Sequence, residues 1–181
     1  MRMNFFPYIF QDWAANSSNI KSRLILVLFR LCHRISVKNK FIRLLGLPFL
    51  LFYRVGVEWI LGVELPYKTR VGKVLKLFHG QGLVVHPLAV IGDNCTLRHC
   101  TTLGQNKAPE PGSGSGCPVI GNHVDIGSNC VIIGPVVIGD HVTIGAGSVV
   151  VKDIRPNTKV VGNPARPLEK KTVETVAVST P

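Results

Sequence analysis

The sequence has few aromatic residues and few acids, and both shortages restrict what the chain can be. Aromatic residues make up 7% of its 181 residues, whereas it contains 18 glycines. This mixture favours a repetitive β architecture with tight corners over a bulky helical core. The ten acids stand against 21 Lys and Arg residues, which gives a formal net charge of +11. The length suits one domain with an appended segment.

The sequence also lacks a secretory signal and a disulfide framework. No short apolar region followed by a small-residue cleavage site opens the chain, which argues against a signal peptide. The five cysteines are odd in number, and their spacing matches neither a disulfide pattern nor paired Cys-X-X-Cys zinc ligands. We therefore expect a reducing, cytoplasmic location and no metal.

The positive charge is concentrated in the N-terminal third. Residues 1–62 contain nine Lys or Arg and two acids, whereas residues 71–181 contain ten and seven. Such a basic surface suits anionic lipid, an acidic polymer or nucleic acid. Nucleic acid is disfavoured, because no helix-turn-helix, zinc-finger or stacking-aromatic pattern accompanies the charge. A peripheral contact between the basic N-terminus and the inner face of the plasma membrane stays open.

Residues 1–62 are predicted to be helical. Apolar residues recur at helical spacing from Ile20 to Ile35. A second apolar stretch, from Phe41 to Leu65, is long enough to raise the question of a membrane span. It is interrupted by residues that are costly in lipid or break a helix: Arg43, Pro48, Arg54 and Glu58. We therefore expect helices that pack on the protein or lie on a membrane surface.

From Val71 onward an aliphatic residue recurs every six residues. The clearest run is Ile120, Ile126, Ile132, Ile138, Ile144 and Val150. Two earlier runs share the spacing: Val71, Leu77 and Leu83, and then Ile91, Leu97 and Leu103. A period of six fits neither an α-helix nor an alternating strand, but it fits a triangular solenoid with one hexapeptide on each side. The aliphatic residue then points inward, and successive coils pair as parallel strands.

Two steps break this period. The step from Leu83 to Ile91 is eight residues long, which we interpret as a slip of two. The step from Leu103 to Ile120 is seventeen, which we interpret as an insertion of five over two hexads. The inserted sequence is rich in Gly, Ser and Pro and predicts a flexible loop. The predicted organisation is a helical basic segment (1–62), a solenoid (63–168) with a loop (105–119), and a flexible C-terminal tail (169–181).

Repeats such as IGNHVDIGSNCVI and IGDHVTIGAGSVV resemble those of the hexapeptide-repeat acyltransferases. The resemblance implies a mainly β, left-handed parallel β-helix that forms a homotrimer, with acetyl-CoA bound between neighbouring solenoids. Residues 63–168 resemble serine acetyltransferases, and more nearly the colanic-acid and exopolysaccharide acetyltransferases related to them. The shared motifs are VEL at 63–65, His-Gly at 79–80, GLVV at 82–85, TLG at 102–104, IGAGSVV at 144–150 and GNPAR at 162–166.

The resemblance implies a general-base mechanism centred on His79. A neutral imidazole takes the proton of the acceptor hydroxyl as the oxygen attacks the thioester. Glu64 falls where serine acetyltransferases have the Asp that fixes the imidazole tautomer and stabilises the imidazolium. The alternative is that His79 is a structural histidine on a solenoid face.

Departures from the serine acetyltransferase motifs argue against free serine as the acceptor. Those enzymes bind the charged ends of serine with an Asp before the catalytic His and with an Arg-His pair before a Pro. Here Phe78 replaces the Asp, and Gly116 and Cys117 replace the pair. Charges without ionic partners are costly in a closed site. We therefore expect a sugar hydroxyl, on a polysaccharide or a lipid-linked precursor. The predicted acceptor-binding residues are Phe78, Arg98, His99 and Cys117.

His99 is predicted to lie beside His79, because each residue follows an inward leucine by two positions on adjacent coils. Their Cα atoms should then be about 5 Å apart. His99 would orient the acceptor or share the proton transfer. The alternative is that His99 is a solvent-facing residue of the coil with no part in the reaction.

A second predicted stack leaves room for the pantetheine arm of CoA. Ser128 and Ala146 each follow an inward isoleucine by two positions, so two small side chains should share one face. The resemblance adds Gly104 to the CoA-binding set. Lys152 and Arg166 lie near the last coils and would meet the CoA phosphates, although ordinary solvated charge is an equal alternative.

Three functions remain in competition. We favour an O-acetyltransferase that acts on a capsular polysaccharide or exopolysaccharide or its precursor. A serine O-acetyltransferase is disfavoured by the substitutions at the serine ligands. A non-catalytic or carbonic-anhydrase-like β-helix is the third, and its anhydrase form would need three zinc-binding histidines across subunits.

Overall fold

The structure, a computed structural model, describes residues 4–106 and 116–168. Helices occupy the chain up to Ile60, and strands follow from Val63. The predicted parallel β-helix behind a short helical segment is therefore confirmed. Most of the predicted loop 105–119 and the predicted tail 169–181 lie outside the described residues.

The helical segment contains short helices with sequence-encoded starts. Its elements are α1 (Phe5–Ile9), a 3₁₀ turn (Ala14–Asn16), α2 (Ile20–Ser36), α3 (Lys40–Leu45), α4 (Leu47–Tyr53) and a π-helical continuation of α4 (Arg54–Ile60). The Asn19 side chain accepts a hydrogen bond from Ser22 N at 3.2 Å, and that of Asn39 from Ile42 N at 3.0 Å. Pro48 lies in the first turn of α4. No helix among the described residues is both long and apolar enough to cross a membrane.

Short strands form three sheets, which are the three sides of the coil. Sheet 1 has the order β1 (Val63–Glu64), β4 (Leu83–Val85), β7 (Thr102–Gly104), β10 (Val131–Ile133) and β13 (Val149–Val150). Sheet 2 has the order β11 (Val137–Ile138), β8 (Val119–Ile120), β5 (Val90–Ile91) and β2 (Arg70–Val71). Sheet 3 has the order β15 (Arg166–Pro167), β14 (Lys159–Val161), β12 (Thr143–Ile144), β9 (Asp125–Ile126), β6 (Thr96–Arg98) and β3 (Lys76–Phe78). From β1 to β13 successive strands belong to successive sides, and the sheet 2 side of the last coil is a single bridge between Ile138 and Ile154. The described strands pair in parallel except at β15.

The aliphatic residues of the six-residue period form the solenoid core. All of those in the three predicted runs are buried except Val71, which is half-buried on the edge strand β2. Leu97, Leu103 and Ile132 have no exposed surface. Burial of these stacked side chains is the main source of stability for a coil that has no bulky aromatic core.

The corner between β3 and β4 is two residues longer than the corner between β6 and β7. β3 pairs with β6 through Leu77 and Leu97, whereas β4 pairs with β7 through Val85 and Leu103. The predicted position of the slip, after β4, is wrong, because β4 turns two of its three residues inward. The two extra residues lie in the corner that contains His79.

The predicted span of the second insertion is also wrong. β7 lies in sheet 1 and β8 lies in sheet 2, so they are consecutive sides of the coil. Leu103 and Ile120 are therefore separated by a single corner of the coil and not by two hexads. The chain returns to the solenoid at Cys117, whose side chain is buried.

Polar side chains of the helical segment close the first edge of the solenoid. Asn16 donates from Nδ2 to Leu75 O and accepts from Leu77 N, both at 2.9 Å. Asp12 accepts from Leu75 N at 2.8 Å, and Arg30 donates to two carbonyls at the edge of sheet 2. These side chains take the place of a neighbouring strand. They hold β3, which leads directly into the predicted catalytic corner.

Candidate active site

One corner of the coil, between sheets 3 and 1, carries a column of predicted site residues. We call it the corner column, and its members are His79, His99, Ser128 and Ala146. Hydrogen bonds join its coils: Asn129 N donates to His99 O at 3.1 Å, and Gly147 N donates to Ser128 O at 2.9 Å. The predicted histidine stack and the predicted lane of small residues are therefore successive parts of one corner.

His79 and His99 face each other at the start of the column. Their ring centroids are 6.4 Å apart, and the rings meet edge to face. His79 is exposed and has a left-handed backbone, with φ of 53°. In later coils the left-handed residue comes one position later, at Cys100, Asn129 and Gly147. The extra residues of the first corner therefore give His79 a backbone geometry unlike that of its counterparts.

His99 carries a buried nitrogen that the described residues leave without a partner. Its Nδ1 atom has almost no solvent contact and makes no hydrogen bond within residues 4–106 and 116–168. An unpaired buried polar atom costs about 1–3 kcal/mol.

Glycines make the enlarged corner sterically feasible. A Cβ atom at Gly80 would lie 2.9 Å from the Leu77 side chain. Gly82 has φ of +66°, and a Cβ there would lie 3.0 Å from Cys100 Sγ. The His-Gly motif therefore pairs a functional candidate with the small residue that lets the corner pack over β3.

The described residues show no contact between His79 and Glu64, the two members of the predicted dyad. Glu64 is exposed on β1, opposite Val84 in the next coil. Within the described part of the chain, no hydrogen bond or ion pair joins it to His79. Glu64 instead influences Glu58: burial raises the pKa of the Glu58 carboxyl, Arg54 lowers it, and Glu64 raises it.

Phe78 lies between two cations on the outer face of sheet 3. Lys76 Nζ is 4.6 Å from the ring centroid, and Arg98 Cζ is 5.4 Å from it. Arg98 also forms an ion pair with Asp125 and donates to Ile126 O at 2.8 Å. The surface beside the corner column is therefore aromatic and positively charged. Sequence reasoning named Phe78 and Arg98 but missed Lys76, whose strand position two residues before Phe78 places it on the same face.

Two other predicted residues lie at a different corner. Cys117 Sγ is 2.9 Å from His86 Nδ1, and His86 N donates to Leu103 O at 2.8 Å. Gly104 follows Leu103 at the same corner, between sheets 1 and 2. The width of sheet 1 separates this corner from His79. A single chain therefore does not bring Cys117 and Gly104 to the corner column.

The predicted phosphate-binding residues lie at the last coil. Lys152 and Arg166 are both exposed and line a cavity of about 460 Å³, together with Arg155. Asp153 also lines the cavity, but the three cations outnumber it, which suits a phosphorylated ligand. Arg155 was not among the predicted residues.

The buried cysteines have the properties of packing residues. Burial raises the pKa of the Cys95 and Cys130 thiols, and it raises that of Cys32 to about 12. Such thiols stay protonated at neutral pH and do not act as nucleophiles or metal ligands. In the described part of the chain, no group of three His, Cys, Asp or Glu could hold a metal ion.

Known proteins share both the sequence and the coil. Residues 117–152 match the family model described as bacterial transferase hexapeptide (six repeats). A protein of Escherichia coli (strain K12), named as a colanic acid biosynthesis acetyltransferase, WcaB, is 35% identical over 159 residues. That match covers 86% of this chain and 96% of the relative. The chloroplastic serine acetyltransferase 1 of Arabidopsis thaliana is 44% identical over 104 residues, which are 58% of this chain and 32% of that protein.

Solved structures agree with these matches. The soybean serine acetyltransferase apoenzyme superposes with a TM-score of 0.74 at 31% identity and covers 89% of this chain and 67% of its own. The serine acetyltransferase of Brucella abortus strain S19 gives a TM-score of 0.72 at 26% identity, with the same coverage.

Proposed function

Because this chain belongs to the hexapeptide-repeat acetyltransferases and is an acyl-CoA-dependent acyltransferase, we propose that it acetylates a sugar hydroxyl of a polysaccharide or its precursor. The relative WcaB is named for colanic acid biosynthesis, and the match extends over nearly its full length. The observation that carries the proposal is the setting of Phe78. A serine α-ammonium would meet this ring and the two cations beside it, Lys76 and Arg98, where it needs a carboxylate.

His79 is the proposed general base. Its exposed imidazole accepts the proton of the sugar hydroxyl as the oxygen attacks the thioester carbonyl of acetyl-CoA. The tetrahedral intermediate collapses by breaking the carbon–sulfur bond, and the imidazolium returns the proton to the CoA sulfur. Acetyl ester and CoA are the products, and the histidine ends in its starting state.

His99 is proposed to position the acceptor. His99 lies on the coil next to His79 and is half-buried, so rotation of its ring would expose the unpartnered Nδ1, which then accepts a hydrogen bond from a second hydroxyl of the sugar. Vicinal hydroxyls are a feature of sugars that free serine lacks. This role requires no proton transfer by His99.

Glu64 is proposed to orient His79 only when the acceptor is bound. Its exposed side chain leaves room for a rotation toward the corner. Catalytic hydrogen bonds are often formed only in the substrate complex. A carboxylate on the second ring nitrogen would then stabilise the imidazolium.

The CoA arm is proposed to lie along Ser128 and Ala146. These are the small members of the corner column, and they lie between the histidines and the last coil. The cations Lys152 and Arg166 would meet the phosphates at the cavity there.

A homotrimer is proposed because the candidate residues divide between two corners of one chain. Cyclic packing of solenoids side by side would bring Cys117 and Gly104 of one subunit toward His79 of the next. A monomer measured by light scattering would contradict a shared site.

The experiment is an acceptor screen with labelled acetyl-CoA. Neutral hexoses, uronic acids and oligosaccharides are compared with L-serine, and acetyl transfer to a sugar is expected. Efficient formation of O-acetylserine would overturn the proposal. The matched variant is Phe78→Asp, which restores the carboxylate that serine acetyltransferases have there. It should lower sugar acetylation at least about tenfold if Phe78 contacts the acceptor.

Serine O-acetyltransferase is the second candidate, because the matched solved structures are serine acetyltransferases. It makes the opposite prediction in the same screen. The wild-type chain would use L-serine, and Phe78→Asp would improve that activity.

A further inference from the structure

The helical segment presents an apolar surface that the core does not use. α4 and its π-helical continuation turn Leu50, Tyr53 and Val57 inward, and α3 buries none of its residues. Eleven large apolar side chains between positions 41 and 61 remain exposed by more than a third. We call these side chains the apolar face. Single exposed apolar residues are ordinary, but eleven of them between positions 41 and 61 mark an interaction surface.

Aromatic residues are prominent on the apolar face. Phe41 and Trp59 are each 69% exposed, and Phe52 is 61% exposed. They come from α3, from the π-helical segment and from α4, so the face extends across all three elements. Such side chains suit the headgroup region of a bilayer, where large apolar rings are shielded from water.

The charge around the apolar face has one dominant sign. Between positions 38 and 61 the basic residues are Lys38, Lys40, Arg43 and Arg54, and the single acid is Glu58. The Glu58 side chain is half-buried, whereas all four basic residues are exposed. Two copies of this surface would bring like charges together, which disfavours self-association through it.

A cleft of about 270 Å³ is lined by both apolar and basic side chains. Leucines of α3 and α4 form its apolar lining, and cations stand around it: Lys40, Arg43 and Lys68. An anionic headgroup above an acyl chain has the complementary chemistry, since negative charge meets the cations and hydrocarbon meets the leucines.

We propose that the apolar face docks this enzyme onto a membrane that contains anionic phospholipid. α3 and α4 lie in the plane of the interface, with the aromatic residues among the headgroups and the basic residues against lipid phosphates. The contact is peripheral, because no described helix can cross a membrane. The same helical segment holds β3 through Asn16, so docking brings the first coil and its corner column close to the lipid surface.

Trp59 provides a direct test with the full chain. Only Trp13 and Trp59 are present in the sequence, so Trp13→Phe leaves one reporter on the apolar face. On addition of vesicles of phosphatidylcholine with phosphatidylglycerol, its emission should shift to the blue. Vesicles with brominated acyl chains should quench it. Vesicles of phosphatidylcholine alone should produce a much smaller change.

Two sets of substitutions separate the apolar and the ionic contributions. Phe41→Ser with Phe52→Ser should lower the vesicle partition coefficient by more than about tenfold in flotation. Lys40→Gln and Arg43→Gln should each lower it by about fivefold at low salt and less at high salt. The control is Val119→Ser with Val137→Ser, which removes exposed apolar groups from sheet 2 of the solenoid.

Three outcomes would overturn the proposal: no binding to anionic vesicles, equal loss in the control, or a Phe41/Phe52 variant whose oligomer mass falls while its vesicle binding is unchanged. The last result would assign the face to contacts between copies. Binding is measured without acetyl-CoA or acceptor, so its outcome is independent of the sugar assignment.

Discussion

Asp12 and Arg30 form a buried ion pair, with Arg30 Nε 2.7 Å from Asp12 Oδ2, and both side chains also bind the first coil of the solenoid. Arg30 is 2% exposed and Asp12 is equally buried. The pair therefore connects α2, the chain before the 3₁₀ turn and the edges of two sheets. A buried pair is stable only when further hydrogen bonds satisfy both ions, and here the backbone of the first coil supplies them.

Arg30→Met should destabilise the protein strongly. It leaves the Asp12 carboxylate buried without its counterion and two carbonyls without a donor. We expect a loss of about 3–5 kcal/mol in the free energy of unfolding, measured by urea denaturation. The double variant Asp12→Asn with Arg30→Met should lose less than the sum of the two single variants. Arg70→Met, at an exposed position on β2, is the control and should change stability by less than about 0.5 kcal/mol. If Arg30→Met lowered the free energy of unfolding as little as the control does, the ion pair would not stabilise the first coil.

Glu58→Gln should stabilise the protein at neutral pH. Burial raises the pKa of the Glu58 carboxyl above its ordinary value of 4.5, Arg54 opposes the shift, and Glu64 adds to it. A raised folded pKa means that the folded state holds the proton more tightly than the unfolded state. The penalty for ionisation is absent below the unfolded value, grows as pH rises through the raised folded value, and stays constant above it.

The side chain is half-exposed, so solvent screening limits the expected gain in Tm to roughly 1–2 °C at neutral pH. The difference between Glu58→Gln and wild type should vanish as pH falls below the ordinary carboxyl range. Scanning calorimetry over pH checks this. A Tm difference that does not change with pH would show that the effect comes from packing and not from ionisation.

The coil could be predicted from the sequence because every side of every turn buries one aliphatic residue at the same position. An inward aliphatic residue every six positions leaves one periodic mark for each side, and six such marks occur in succession from Ile120 to Val150. The position of the slip could not be read in this way. Leu83 and Val85 are both aliphatic, and both face inward. The sequence alone therefore does not show which of them stacks on Leu103.

The hydrogen bonds from Asn16 that hold β3 could not be predicted from the sequence either. Asn16 reaches Leu75 and Leu77 across 59 and 61 positions, and a single side chain that replaces a strand has no period. The sequence also did not show that the candidate site residues lie at two different corners of one chain. Spacing assigned Cys117 to the inserted loop, and only the register of the three sheets shows that it lies at a corner that sheet 1 separates from His79.

Ala146→Leu should weaken acetyl-CoA binding. Ala146 is exposed on the corner column, and a larger side chain would fill the lane proposed for the pantetheine arm. We expect KM for acetyl-CoA to rise by about tenfold or more with a smaller change in kcat, because ground state and transition state share this contact. Val137→Leu, an exposed position on sheet 2, is the control. Steady-state kinetics with varied acetyl-CoA provides the measurement, and an unchanged KM would place the CoA arm elsewhere.

The last prediction separates the two histidines of the corner column. His79→Ala should lower kcat by about 10²–10⁴-fold, the usual contribution of a general base, while circular dichroism and Tm stay near wild type. His99→Gln keeps a hydrogen-bonding side chain and should mainly raise KM for the acceptor. The acid limb of the kcat/KM profile should persist in His99→Gln, since it reports the protonation of His79. The reverse pattern, with the greater loss of kcat and the loss of that limb at His99, would assign the base to His99. His79 would then be the positioning residue, and its left-handed, glycine-flanked corner would serve to shape the acceptor site rather than to take the proton.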